Sequence, residues 1–163
     1  MAPRPHAQRL LGDLKETRDE LRDSILKFTP DQLDWAPKSG MKSVRAMLAE
    51  VCAMEEMSIG WAANQKEEDW MAIEERFKSV KSPQEAIELL DAARAKTIQY
   101  LERDHADDLQ NPIPLLESWH QYFNVTEIEP EELVRWVVRH EYYHLGQLIS
   151  YLWFLGHDPY KPE

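Results

Sequence analysis

The sequence predicts an all-α fold, a four-helix bundle with a long crossover before the last helix. Three observations predict it. Apolar residues recur at three- and four-residue spacing in four long stretches, no alternating apolar–polar run of strand type occurs, and proline and glycine punctuate the joints between the stretches. Residues 1–163 read as a single domain, since a chain of this length buries roughly two thirds of the surface its unfolded form exposes and no repeat of fixed period divides it.

The first stretch, from about His6 to Phe28, places Leu10, Leu14, Leu21 and Ile25 on one helical face, with Lys15, Glu16, Arg18, Glu20 and Arg22 interleaved as the polar face. Thr29-Pro30-Asp31-Gln32 breaks it, and Pro37 to Gly40 forms a turn-rich link. Ser43 caps a second helix running to about Ala63, with Val44, Met47, Leu48, Val51 and Met54 inward. Ser82-Pro83-Gln84-Glu85 opens the third: the serine accepts from an orphaned amide, proline suits the first helical position, and the glutamate can reach back. Its stripe is Ala86, Leu89, Leu90, Ala93 and Leu101, and its end falls near Asp104. Asp107 to Glu129, with Pro112, Pro114 and the aromatic residues Trp119, Tyr122 and Phe123, reads as an ordered crossover. Pro130 opens the last helix, which carries Leu133, Val134, Val137, Leu145, Leu148 and Leu152 inward and stops at Gly156.

Composition removes several functions. A net charge of −11, from 19 basic and 30 acidic side chains, opposes the phosphate neutralisation on which nucleic-acid affinity depends. No apolar run approaches the roughly 20 residues of a membrane span. The lone Cys52 has no intrachain disulfide partner and the N-terminus lacks the apolar core of a secretory signal, so a reducing cytoplasm is the expected compartment. Five glycines and no Gly-rich phosphate loop argue against a nucleotide-binding α/β fold.

The sharpest local feature is His140-Glu141-Tyr142-Tyr143-His144 in the last helix. The two histidines lie about 40° apart around the axis and one turn apart along it, so both imidazoles reach one ion. Taking His140 as zero, Leu133, Val137 and Leu155 fall at roughly 20°, 60° and 60°, which turns the pair into the bundle. The competing account makes each a core histidine satisfied by a neighbouring hydroxyl or carboxylate. Glu141, at about 100°, is partly inward and is the nearest candidate catalytic base, with Glu55 behind it; its alternative role is to orient a histidine or pair with a cation. His-Glu-x-x-His also occurs in zinc metallopeptidases, but the residues after His144 offer neither a third ligand on a following helix nor a strand edge for extended substrate. A third ligand must then come from upstream. Glu50 shares a face with Met47, Met54 and Trp61, Glu55 lies at the other edge, and Glu56 points away. By spacing alone Glu50 reads equally as a solvated rim carboxylate. Cys52, about 160° around the helix from Glu50, is a packing residue. His105, His120 and His157 fall in loops or at helix ends, His120 within reach of the site, and Trp61, Trp119, Tyr122 and Phe123 read as core.

Four segments together carry a family resemblance: Leu33-Asp34-Trp35-Ala36-Pro37; Ser43-Val44-Arg45-Ala46-Met47-Leu48-Ala49-Glu50; His140 to Leu148; and Gly156-His157-Asp158-Pro159. In these the chain resembles the DinB-like superfamily of four-helix bundles, which includes metal-dependent hydrolases and low-molecular-weight thiol transferases. The resemblance implies a divalent ion, zinc or nickel, held by three histidines, of which His140 and His144 match two. The first falls on Glu50. Either Glu50, His140 and His144 form a two-histidine, one-carboxylate site, or the site is degenerate. The expected function is a metal-dependent hydrolase or thiol transferase acting on a small molecule; the alternative is a non-catalytic metal- or small-molecule-binding bundle, or a structural protein. The resemblance also implies a homodimer, in keeping with six tryptophans that one small domain buries incompletely.

Overall fold

The computed structural model describes residues 5–103 and 106–161. Four long helices form the bundle: α1 (Pro5–Ile25), α2 (Val44–Asn64), α4 (Pro83–Leu101) and α6 (Pro130–Phe154). Two short helices supplement it, α3 (Trp70–Lys78) between α2 and α4, and α5 (His120–Phe123) in the crossover. The α2 helix packs against α3, α4 and α6, and α1 lies against α4 and α6.

Local chemistry sets the boundaries. Ser43 Oγ accepts from Ala46 N at 3.2 Å, and Ser82 Oγ accepts from Glu85 N at 3.2 Å, so both predicted caps form. Glu85 reaches back one residue further than a capping box requires, accepting from Lys81 N at 2.8 Å. The first helix ends at Ile25 rather than Phe28, in a turn. The third predicted helix ends at Leu101; its expected limit Asp104, like His105, lies outside the described residues. Gly156 takes the left-handed φ of 81° that stops the last helix.

Two elements differ from expectation. The α3 helix escapes a periodicity search because in nine residues only Ile73 and Phe77 are buried, a single i, i+4 pair; Asp69 caps it. In the crossover, β1 (Ile113–Pro114) pairs antiparallel with β2 (Glu127–Ile128), which are too short to show alternation. This clasp closes the loop that contains α5.

The predicted inward residues of α1, α4 and α6 are buried almost throughout, with Leu89 half-buried. Charge lies among them. Arg18 from α1, Glu55 from α2, Arg94 from α4 and Glu141 from α6 meet at the bundle centre, each buried. Arg18 Nε donates to Glu141 Oε1 at 2.7 Å and its Nη2 to Glu55 Oε2 at 2.8 Å. Arg94 Nε donates to Glu55 Oε1 at 2.6 Å and its Nη2 to Glu141, while Thr97 Oγ1 donates to Glu55 at 2.6 Å. Two guanidinium groups and two carboxylates compensate one another, which is what makes their removal from water tolerable. Arg18 is therefore no part of the polar face: it sits on the stripe of Leu14, Leu21 and Ile25.

Candidate metal centre

The site lies where α2 crosses α6. Glu50 projects from the second turn of α2, and His140 and His144 project toward it from one face of α6. The His140 and His144 ring centroids are 4.6 Å apart. His140 Nε2 lies 4.0 Å from Glu50 Oε1, and His144 Nε2 lies 3.6 Å from Glu50 Oε2. One donor atom from each of the three falls within 4.8 Å of the others. Bonds of about 2.0–2.1 Å in a tetrahedral shell separate donor atoms by roughly 3.4 Å, so small side-chain adjustments bring these three onto one ion.

The protonation pattern suits a ligand set. His144 Nδ1 is 2.8 Å from Gln147 Oε1, an oxygen that only accepts, so Nδ1 carries the proton and Nε2 the lone pair. Gln147 Nε2 in turn donates to Tyr143 Oη at 3.1 Å, so the amide bridges the histidine and the tyrosine. His144 Nε2 is buried and has no hydrogen-bond partner. Such an atom costs free energy unless something occupies its lone pair. Burial pushes the His140 pKa down to about 4, with the neighbouring His144 adding to the shift against the opposing charge of Glu50. Burial also lowers His144, more strongly than Glu50 raises it. Lys42 pairs with Glu50 from the exposed side. The residues fit a borderline divalent ion such as zinc or nickel.

A cavity of about 630 Å³ opens beside the three residues. Its walls are aromatic: Trp119 and Phe123 from the crossover, Trp70 from α3, Trp136 and Tyr143 from α6. Ring contacts run in series from Trp119 to Phe123 (6.3 Å), to Trp136 (5.1 Å) and on to His140 (6.3 Å). Trp119 and Phe123 pack against the core as the sequence suggested and also form cavity wall, because the clasped crossover folds back over α6, whereas Tyr122 is exposed at the cavity rim and is not core. Trp61 holds that crossover, donating from Nε1 to Pro114 O at 2.8 Å.

Other expected participants lie elsewhere. Glu141 and Glu55 do not line the cavity; their carboxylates are taken up by Arg18 and Arg94. Burial alone would raise the Glu55 pKa, but the charges of Arg94 and Arg18 outweigh it and hold the group below its ordinary range. With both its oxygens held by Arg18 and Arg94 and no exposure to the cavity, Glu141 takes its alternative role, pairing with a cation, and not that of a base. Glu56 points away, to Arg76 and Lys96. Cys52 is buried, and burial followed by the charge of Glu56 pushes its thiol up to about 12, which leaves it a packing residue. His120 Nε2 contacts Leu115 O at 3.0 Å within the crossover, and His157 Nε2 lies 3.4 Å from Gln32 Nε2.

The match to known proteins agrees with this architecture. The model of the DinB superfamily matches residues 13–148, and the chain belongs to that superfamily. A solved structure assigned to the DinB family, from Exiguobacterium sibiricum 255-15, superposes with a TM-score of 0.69 at 22% identity, covering 96% of each chain. No curated protein matches the sequence.

Proposed function

We propose that this protein is a divalent-metal-dependent enzyme that acts on a small organic molecule in the aromatic cavity, with Glu50, His140 and His144 holding the ion. The observation that carries the reading is the buried, partnerless Nε2 of His144, turned toward Glu50 by Gln147. A structural bundle has no use for a desolvated lone pair beside a carboxylate at the edge of a cavity. The bound ion would supply Lewis acidity and would lower the pKa of a coordinated group.

Of the two reactions the superfamily suggests, thiol transfer fits this chain better than hydrolysis. Glu50 is the sole carboxylate lining the cavity among the described residues, and as a ligand it is not free to collect a proton. Hydrolysis asks for a general base placed beside water. A thiol needs less help, because its own acidity is far greater than that of water and its thiolate is the nucleophile. Tyr143, whose hydroxyl already meets Gln147, is positioned at the cavity wall to orient an incoming group.

The test uses chelated protein reloaded with zinc or nickel and offered a panel of low-molecular-weight thiols with an electrophile, alongside aryl esters and amides. Metal-dependent thiol consumption, lost in His140→Ala and His144→Ala, is expected, with weak ester hydrolysis. Turnover that is indifferent to chelation and to both substitutions would overturn the proposal, and brisk ester hydrolysis without thiol transfer would overturn the choice between the reactions.

A further inference from the structure

The cavity's shape and charge specify more than its metal corner. Its volume of about 630 Å³ falls within the range of small-molecule sites, roughly 300–1,000 Å³, and far exceeds what one or two water molecules need. Rings from the crossover, α3 and α6 face it, a lining suited to a flat apolar body that can stack or meet ring edges. Glu50 and Arg139 are the formally charged Lys, Arg, Asp or Glu residues in the lining. Glu50 is paired with Lys42 and faces the two histidines at the metal corner.

Arg139 is differently placed. Its guanidinium lies 5.9 Å from the centroid of the Trp136 ring, so one face rests over the aromatic wall. Its ionic partner is Glu132, at 3.3 Å across a half-exposed surface. Such an exposed pair is worth little, and a guanidinium carries five N–H donors, so Arg139 can take a second anion or exchange the first.

We infer that the cavity binds a small organic anion with a flat aromatic or alicyclic body, its body against Trp119, Phe123 and Trp136 and its carboxylate or sulfonate at Arg139. The inference rests on the metal reading in one respect: a divalent ion at Glu50 adds net positive charge to the same cavity and strengthens its preference for anions. A cationic ligand would meet Arg139 and the ion together, and a neutral one would leave Arg139 unused.

Two fluorescent probes separate body from charge. 8-Anilinonaphthalene-1-sulfonate and N-phenyl-1-naphthylamine share their ring system and differ by the sulfonate. Titrated into the full chain, both are expected to bind, the sulfonate more tightly. Arg139→Gln should weaken the sulfonate about tenfold, as befits one charged hydrogen-bonding partner, and leave the neutral probe within about twofold. Trp136→Ala, or Phe123→Ala should the first fail to fold by circular dichroism, should weaken both. Ile98→Ala, on the exposed side of α4 and away from the cavity, should change neither. Sulfonate binding indifferent to Arg139→Gln, or probe binding indifferent to both aromatic substitutions, overturns the inference. Zinc stoichiometry measured on the same samples keeps the two readings apart. Probe behaviour as expected without zinc binding removes the metal site alone, whereas intact zinc binding with indifferent probes removes the anion site alone.

Discussion

His144 shows how much one residue of this site depends on its neighbours. One ring nitrogen is spoken for by Gln147, and for that reason the other presents a lone pair. Gln147→Ala should therefore weaken zinc binding about 10–100-fold, the usual effect of losing a partner that orients a metal-ligating histidine, while the fold survives. Competition with a chromophoric chelator measures this; unchanged affinity would mean that the tautomer is set by other means. The histidine pair was legible in the sequence because i, i+4 spacing on an apolar face is geometrically specific. Glu50 was legible only as a candidate, since a carboxylate at a stripe edge looks the same whether it binds a metal or water. Gln147 was not legible at all: one polar residue three positions along a helix carries no signal until its amide is seen against the ring.

At the scale of elements, the four long helices are joined by charge as well as by apolar packing. Arg18, Glu55, Arg94 and Glu141 each contribute one side chain from a different helix. Arg94→Leu, which leaves Arg18 alone to balance the buried Glu55 and Glu141 carboxylates, should destabilise the protein by about 3–5 kcal/mol, measured by urea denaturation; a loss under ~1 kcal/mol would show that the cluster is dispensable. Glu55 titrates below its ordinary range, so its contribution is complete above the unfolded carboxyl value and is lost as pH falls through the lower folded value. Stability carried by Glu55 should accordingly hold down to about pH 4.5 and decline below it, and Glu55→Gln should flatten that acid limb of the denaturation profile. The cluster left a trace that periodicity alone overlooked. Arg18 falls in step with Leu14, Leu21 and Ile25, and Glu141 with Val134, Val137, Leu145 and Leu148, two opposite charges on apolar stripes. The α3 helix and the β1–β2 clasp left none, because each is too short to display its period, and without them the cavity that the crossover aromatics wall was not foreseeable.

For the whole molecule, the all-α bundle and its long crossover followed from four stripes and their caps, signals repeated over many residues. Which helices touch did not follow, and the cavity exists only because α2, α3, the crossover and α6 converge. No helix among the described residues is long and apolar enough to cross a membrane. One face of α6 remains open, where Tyr142, Trp153 and Phe154 are exposed around Gly146, at which an added Cβ meets nothing within 4 Å. A glycine mid-helix costs about 1 kcal/mol against alanine, and a close approach by a second copy would offset it. The expected outcome is a homodimer through this face: light scattering should give twice the 19.2 kDa chain mass, falling to the monomer in Trp153→Ser/Phe154→Ser, whereas a monomeric wild type at micromolar concentration would refute it. The central claim, that Glu50, His140 and His144 form a divalent-metal site, is tested most directly by X-ray absorption at the zinc edge on chelated protein reloaded with zinc. The account predicts one zinc per chain with two imidazole nitrogens and a carboxylate oxygen at roughly 2.0–2.2 Å; a shell without imidazole scattering, or one containing sulfur from Cys52, would contradict it.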